Sequence, residues 1–220
     1  MTLYFLILMT ILHILPSQEK PVKILFFGDS ITELGVKEKG YIDLLNNKLK
    51  DTQQTEKYQF IGSGIGGNKV YDLFFRMERD VLNMQPDIVV IWIGVNDVWH
   101  KSMFGTGTDR DKFERMYADI IQRLQQKGIK VYCCTPACIG EKTDHSNAQD
   151  GDLNEFSKII RKTGSANGAG LIDFRKSFLE YNLKHNTENK DKGILTYDGV
   201  HLNDAGNQLA ADMMWNAVIK

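Results

Sequence analysis

Cysteine is scarce in this sequence, and the few cysteines lie close together. The chain has 220 residues but only three cysteines, Cys133, Cys134 and Cys138. An odd number in one short stretch is not the disulfide framework of a small secreted domain. No histidine or second cysteine pair stands near them at zinc-ligand spacing, so we expect no structural metal site. Cys133 and Cys134 lie in an apolar, strand-like run, which predicts buried free thiols.

The sequence also lacks an excess of charge of either sign. It has 27 Lys and Arg residues against 28 Asp and Glu residues, for a net charge of -1 at pH 7. Such a balance gives no general attraction to nucleic acid or to an anionic membrane. We therefore expect neither as a partner. Oligomeric state is left open by the sequence.

No apolar run is long enough to cross a membrane. The longest, from Leu3 to Leu15, is shorter than the roughly 20 residues that a spanning helix needs, and Pro16 follows at once. This pattern predicts a signal peptide over residues 1–20, although no Lys or Arg precedes Lys20 and His13 interrupts the run. We expect a secreted or periplasmic protein without stable membrane association after cleavage. An uncleaved anchor helix is the alternative.

Internal repeats and low-complexity linkers are absent too, which favours one domain over residues 21–220. Apolar runs of strand length alternate with amphipathic stretches of helix length, a pattern that predicts an α/β fold with a parallel sheet covered on both faces. The third run, 87–93, is continuously apolar and should be the central strand. We expect long loops over 99–110, 140–150 and 182–197, and five strands over 23–27, 58–61, 87–93, 129–135 and 170–174.

The first strand breaks at Gly28-Asp29-Ser30, which places a serine at the carboxyl edge of the sheet, where open α/β folds bind ligands. A serine hydroxyl needs an adjacent base to act as a nucleophile. His201 is the best candidate, because Asp198 stands three residues before it and can orient the imidazole ring. Taken singly, each stretch could equally be an ordinary turn.

Two further stretches offer hydrogen-bond donors for the oxyanion that forms when a carbonyl is attacked. The glycine loop 64–67 precedes a predicted helix, and Asn96 follows the central strand. Gly62-x-Gly64-x-x-Gly67 also matches a dinucleotide-binding fingerprint. That fingerprint requires an acidic residue at the end of the next strand, whereas Asp87 begins that strand, so we expect no nucleotide and no other cofactor.

Four blocks together, in this order, resemble the SGNH (GDSL) hydrolase superfamily: Gly28-Asp29-Ser30, Gly67 in its loop, Gly94-x-Asn96-Asp97 and Asp198-x-x-His201. The resemblance covers nearly all of the mature chain. It implies a three-layer α/β/α sandwich with a flavodoxin-like, five-stranded parallel sheet, and ester hydrolysis through an acyl-enzyme without a metal. By position it implies Ser30 as nucleophile, His201 as base, Asp198 as its carboxylate, and Ser30, Gly67 and Asn96 as oxyanion donors. Ser63 departs from the pattern, since many relatives have asparagine there, which leaves the bracing of the loop open.

From the size of the chain we expect a small ester as substrate, with acetyl esters preferred, including those on carbohydrate, because no stretch is large enough to form a lid over a long acyl chain. Asp97, Trp99 and His100 are candidate substrate-binding residues, and Asp29 is expected to brace the serine turn. A lysophospholipase or thioesterase of the same superfamily and a non-catalytic carbohydrate-binding relative remain alternatives. So does a metal-dependent phosphoesterase that would use Asp29, Asp97, Asp198 and His201.

Overall fold

The computed structural model describes residues 20–219. The predicted signal peptide therefore lies, except for Lys20, outside the described residues. In residues 20–219 no helix has the length and apolar character needed to cross a membrane.

Five parallel strands form one sheet in the order β2-β1-β3-β4-β5. This is the flavodoxin-like order. The strands are β1 (Val22–Gly28), β2 (Tyr58–Gly64), β3 (Ile88–Trp92), β4 (Lys130–Cys134) and β5 (Gly170–Ile172). The prediction of a five-stranded parallel sheet with 87–93 at its centre is confirmed.

Eight α-helices in the described part of the chain connect and cover the strands. They are α1 (Ser30–Gly35), α2 (Tyr41–Asp51), α3 (Val70–Asp80), α4 (Val95–Phe104), α5 (Arg110–Gln126), α6 (Asp150–Ala166), α7 (Phe174–His185) and α8 (Asp204–Val218). A short 3-10 turn, Leu82–Met84, follows α3.

The strand residues alternate between two hydrophobic clusters, one on each face of the sheet. In β1, Ile24 and Phe26 pack with residues of α2, α7 and α8, whereas Leu25 and Phe27 pack with residues of α3, α5 and α6. Successive side chains of a strand point to opposite faces, so a strand that is buried on both faces must be apolar throughout. These two clusters make the fold the three-layer α/β/α sandwich that the family resemblance implied.

Two of the loop predictions were wrong in part. The segment expected as a loop over 99–110 begins inside α4, and the one over 182–197 begins inside α7. Helix α4 has only ten residues, of which just the first four are buried, so its apolar pattern is too brief to signal a helix. In α7 the buried residues Phe174, Phe178 and Asn182 recur every four positions, but Phe174 had been assigned to the preceding strand.

The three cysteines are buried free thiols, as predicted. Burial raises the pKa of Cys133 to about 11, because a thiolate in the apolar interior would lose its hydration. The thiols of β4 therefore act as small apolar side chains in the core.

Candidate active site

The turn after β1 places Ser30 at the carboxyl edge of the sheet. Gly28 ends the strand, and a Cβ atom there would lie 2.5 Å from the Trp92 carbonyl oxygen, so only glycine fits. Asp29 is the N-cap of α1, and its Oδ1 accepts a hydrogen bond from the Ile31 N–H at 3.0 Å. Asp29 thus braces the turn, as expected, and Ser30 becomes the first residue of the helix.

Ser30, His201 and Asp198 form a continuous hydrogen-bonded chain. Ser30 Oγ lies 2.9 Å from His201 Nε2, and His201 Nδ1 lies 2.7 Å from Asp198 Oδ2. The other carboxylate oxygen, Asp198 Oδ1, accepts hydrogen bonds from the Val200 and His201 N–H groups at 2.9 and 2.8 Å. The structure therefore brings together the serine, imidazole and carboxylate that the sequence had proposed as a triad.

The environment of Asp198 favours its ionised form. Partial burial opposes ionisation, but hydrogen bonds from the His201 ring and from two backbone N–H groups outweigh it, so the pKa of Asp198 lies below its ordinary value. An ionised Asp198 keeps its proton acceptors directed at His201. It can hold the ring with Nδ1 protonated and Nε2 facing Ser30 as the acceptor.

A buried carboxylate that the sequence analysis missed anchors the segment carrying His201. Glu141 is 1% exposed, and its two oxygens accept hydrogen bonds from the backbone N–H groups of Ile194, Leu195 and Thr196 at 2.7–2.8 Å. Next to it, the Gly140 N–H donates to the Gly199 carbonyl oxygen at 2.8 Å. The loop after β4 thus holds the loop before α8. No local pattern marks Glu141, since its partners lie more than 50 residues away.

The expected oxyanion donors Gly67 and Asn96 follow β2 and β3, at the same carboxyl edge of the sheet as Ser30. Gly67 has a left-handed backbone, with φ +75°, and within residues 20–219 no group accepts a hydrogen bond from its N–H. The neighbouring Gly66 is so close to the serine that a Cβ atom there would lie 4.0 Å from Ser30 Cβ. Asn96, in the first turn of α4, is 2% exposed, and its amide donates to the Asn68 carbonyl oxygen at 3.1 Å. The glycine loop thus comes close to Ser30 through Gly66, and Asn96 is linked to the same loop through the Asn68 carbonyl.

Arg76, a second residue that the sequence analysis missed, braces this glycine loop. From the buried face of α3 its guanidinium donates to the Gly28 carbonyl at 2.7 Å, to Ser63 Oγ at 3.0 Å and to Asn68 Oδ1 at 2.7 Å. Ser63, where the sequence departs from the family pattern, is thus an acceptor in the brace. An arginine between Leu73 and Met77 on an otherwise apolar helix face was the signal that could have identified it.

Asp97 does not contact the cleft, which corrects the prediction that it binds substrate. It is 0% exposed, and both carboxylate oxygens accept the Val70 N–H, at 3.2 and 3.3 Å. Burial raises the pKa of Asp97 to about 7. Burial likewise raises the pKa of Asp29 to about 7, with a further contribution from the charge of Asp97. Asp97 therefore holds the start of α3, directly after the glycine loop.

Aromatic rings flank the imidazole of His201. Tyr197, 56% exposed, stacks on His201 with ring centres 5.7 Å apart, and the Trp99 ring lies 6.1 Å away, edge-on. His100, in the next position of α4, comes close to the Gly67 backbone, since a Cβ atom on Gly67 would lie 3.5 Å from its Cε1. Trp99 and His100 thus remain candidates for substrate contact, and Tyr197 joins them.

The chain is similar to known proteins in both sequence and structure. The sequence profile of the GDSL-like Lipase/Acylhydrolase family matches residues 26–209. An acetylxylan esterase of Geobacillus stearothermophilus is 25% identical over 207 residues, which are 86% of this chain and 90% of that protein. Two crystal structures superpose closely. The acetyl xylan esterase AlAXEase has a TM-score of 0.89 and 62% identity over 90% of this chain and 100% of its own. LAE5, an alpha/beta hydrolase enzyme from the metagenome of Lake Arreo in Spain, has a TM-score of 0.79 and 25% identity, with coverages of 90% and 95%.

The buried carboxyl of Asp97 generates a prediction about pH and stability. In the unfolded chain it ionises at about pH 4, but in the folded chain only near pH 7. The folded state thus holds more protons between these values, and stability should fall as the pH rises through this window. Asp97→Asn cannot ionise. The free energy of unfolding of Asp97→Asn minus that of the wild type should therefore be larger at pH 8 than at pH 5, as measured by urea denaturation.

The control is Asp111→Asn, which removes an exposed carboxylate on α5 and should show no such trend. A difference between Asp97→Asn and the wild type that stays constant from pH 5 to pH 8 would contradict the assignment of a neutral carboxyl at Asp97.

Proposed function

Since this chain belongs to the GDSL-like Lipase/Acylhydrolase family and is a carboxylic ester hydrolase, we propose that it removes acetyl groups from carbohydrate through nucleophilic attack by Ser30. The observation that carries the proposal is the chain of contacts from Ser30 Oγ through His201 to Asp198, at 2.9 and 2.7 Å. A serine becomes a nucleophile when a base within hydrogen-bond reach accepts its proton, and that base needs an orienting partner.

The proposed reaction proceeds in two halves. In the first, Ser30 Oγ attacks the ester carbonyl carbon while His201 Nε2 accepts the hydroxyl proton, and the C–O bond to the alcohol then breaks as His201 returns that proton to the leaving oxygen. In the second, a water molecule gives a proton to His201 Nε2 and attacks the acetyl-serine, and the bond between the carbonyl carbon and Ser30 Oγ then breaks as His201 returns that proton to Ser30 Oγ, which releases the acetyl group as acetic acid. Asp198 stabilises the imidazolium that exists between the proton transfers.

The negative oxygen of each tetrahedral intermediate requires donors that are already in place. The Ser30 N–H, at the start of α1, has no partner within its helix, because the first N–H groups of a helix never do. With the Gly67 N–H and the Asn96 amide it would supply three donors around the oxyanion.

Two observations support a carbohydrate acetyl ester as substrate. AlAXEase and the Geobacillus stearothermophilus relative are described as acetyl xylan esterases. A shallow groove of about 410 Å³ begins at Trp99, whose ring centre lies 6.1 Å from that of His201. Its lining includes the polar side chains of Ser102, Lys142, Asn147, Gln149 and Asp191. A partly buried aromatic ring next to amide and hydroxyl groups suits a sugar better than an acyl chain. We place the alcohol part of the ester in this groove.

We propose that the enzyme acts after export, in the periplasm or outside the cell. The support is the apolar run from Leu3 to Leu15, followed by Pro16, at the N-terminus.

The metal-dependent phosphoesterase alternative receives no support from the geometry. Asp29 binds the Ile31 N–H, Asp97 binds the Val70 N–H, and Asp198 binds His201. Within residues 20–219, no three His, Cys, Asp or Glu side chains are placed to hold one metal ion. The carboxylates that this alternative requires are engaged separately and do not form a common ligand set.

The triad assignment predicts that Ser30→Ala lowers kcat on p-nitrophenyl acetate by at least about 10⁴-fold, and Asp198→Asn by about 10⁴-fold, because a nucleophile or the orientation of its base is lost. Circular dichroism should show both variants folded. The control Ser165→Ala changes an exposed serine of α6 and should leave kcat unaltered. Substantial turnover by Ser30→Ala would contradict the assignment.

The acetyl preference predicts that kcat/KM falls steadily from p-nitrophenyl acetate to the butyrate and the octanoate, since the groove that begins at Trp99 is shallow and would not enclose a long acyl chain. A rate that is highest with the octanoate would instead favour the lysophospholipase or thioesterase alternative. Release of acetate from acetylated xylooligosaccharides, measured alongside, tests the alcohol part of the proposal.

A further inference from the structure

Lys69 is a buried cation in an unfavourable position. It is 7% exposed and stands at the N-cap of α3. N-cap positions favour Ser, Thr, Asp and Asn, and the positive end of the helix dipole repels a cation there. A lysine at this position lowers the stability of the fold, because it conflicts with both preferences. In natural proteins such conflicts are expected at functional sites.

The ammonium group of Lys69 is directed back at the glycine loop. Its Nζ donates to the Gly67 carbonyl oxygen at 3.0 Å and lies 5.5 Å from the centre of the Tyr71 ring. Asp72, the carboxylate one turn along α3, instead accepts the Lys69 backbone N–H at 2.8 Å. In the described part of the chain Lys69 forms no ion pair. Its positive charge is therefore not neutralised by direct contact with a carboxylate.

The acceptor of this hydrogen bond belongs to the residue proposed as an oxyanion donor. The Gly67 N–H and the Gly67 carbonyl are separated by a single Cα atom, and the next carbonyl, that of Asn68, accepts the Asn96 amide. Lys69 thus holds the backbone of residues 67–68, which carries one proposed donor, the Gly67 N–H, and accepts a hydrogen bond from another, the Asn96 amide. Its charge also reaches the cleft, because together with partial burial it lowers the pKa of His100.

We propose that Lys69 is a positioning residue of the oxyanion site, which holds the Gly67 backbone in place and whose positive charge favours the anionic tetrahedral intermediate over the neutral ester. The inference rests on the proposed function, because it concerns the same reaction. A charge that acts only when negative charge develops on the carbonyl oxygen should affect the chemical step and not the binding of the neutral ester.

The experiment compares Lys69→Met, Lys69→Gln and Lys69→Arg with the wild type on p-nitrophenyl acetate. Lys69→Met and Lys69→Gln should lower kcat by about 10- to 100-fold, less than the loss of a direct oxyanion donor can cost. KM should stay within about twofold. Lys69→Arg, which keeps the charge, should recover most of the lost kcat.

Thermal unfolding separates this role from a merely structural one. Since Lys69→Met replaces a buried cation by an apolar side chain of similar length, its unfolding midpoint should equal or exceed that of the wild type. The affinity for an alkylboronic acid, which forms an anionic tetrahedral adduct with a serine, should weaken in Lys69→Met and recover in Lys69→Arg.

Wild-type kcat and boronate affinity in Lys69→Met would overturn the proposal. So would a fall in kcat that follows a fall in the unfolding midpoint and is not recovered by Lys69→Arg. If instead the proposed esterase function is wrong, the wild type itself would show no turnover and no inhibition by the boronic acid.

Discussion

The hydrogen bond between Ser30 Oγ and His201 Nε2 joins two residues that are 171 positions apart, and the proposed chemistry depends on it. Local structure alone cannot bring either residue to the other. Ser30 follows the first strand, and His201 lies in the irregular segment before the last helix. Only a folded parallel sheet, whose strands end at a common edge, brings both into hydrogen-bond distance.

Buried ionisable side chains hold the elements at that edge together. Arg76 links the ends of β1 and β2 to the glycine loop, Glu141 binds the segment that leads to His201, and Asp97 holds the start of α3. Each of these three side chains is nearly or wholly buried, and each forms hydrogen bonds mainly with backbone groups or side-chain amides. Loops carry the reacting groups in such folds, so the precision of the site depends on contacts of this kind. Lys69 also binds a backbone group, the Gly67 carbonyl, and it forms no ion pair within residues 20–219.

The fold and the grouping of Ser30, His201 and Asp198 could be predicted from the sequence because their signals are local. A continuously apolar run marks a strand that is buried on both faces, which identified β3 as the central strand. Asp198 and His201 are three residues apart, and Ser30 ends an apolar run. Together with Gly67 and Asn96 these blocks indicated the SGNH superfamily, which the match to the GDSL-like Lipase/Acylhydrolase family confirms.

The residues that the sequence did not reveal act through distant partners. Glu141 binds backbone N–H groups more than 50 positions away, and Arg76 contacts Gly28 across 48 positions, so neither has a local pattern. Asp97 lies in a block that marks the family, but its burial depends on how α3 and α4 pack, and the sequence predicted a substrate contact instead. The second half of α4, from Trp99 onward, was expected as a loop because only the first four residues of this helix are buried.

The roles of Ser30 as nucleophile and of His201 as its base can be tested together by labelling the purified protein with a serine-directed alkyl phosphonate, followed by peptide mapping, in the wild type and in His201→Ala. We expect one label per chain, on Ser30, with loss of activity in proportion to labelling, and a much slower reaction in His201→Ala. A label on another residue, or full esterase activity in a protein labelled at Ser30, would contradict these roles.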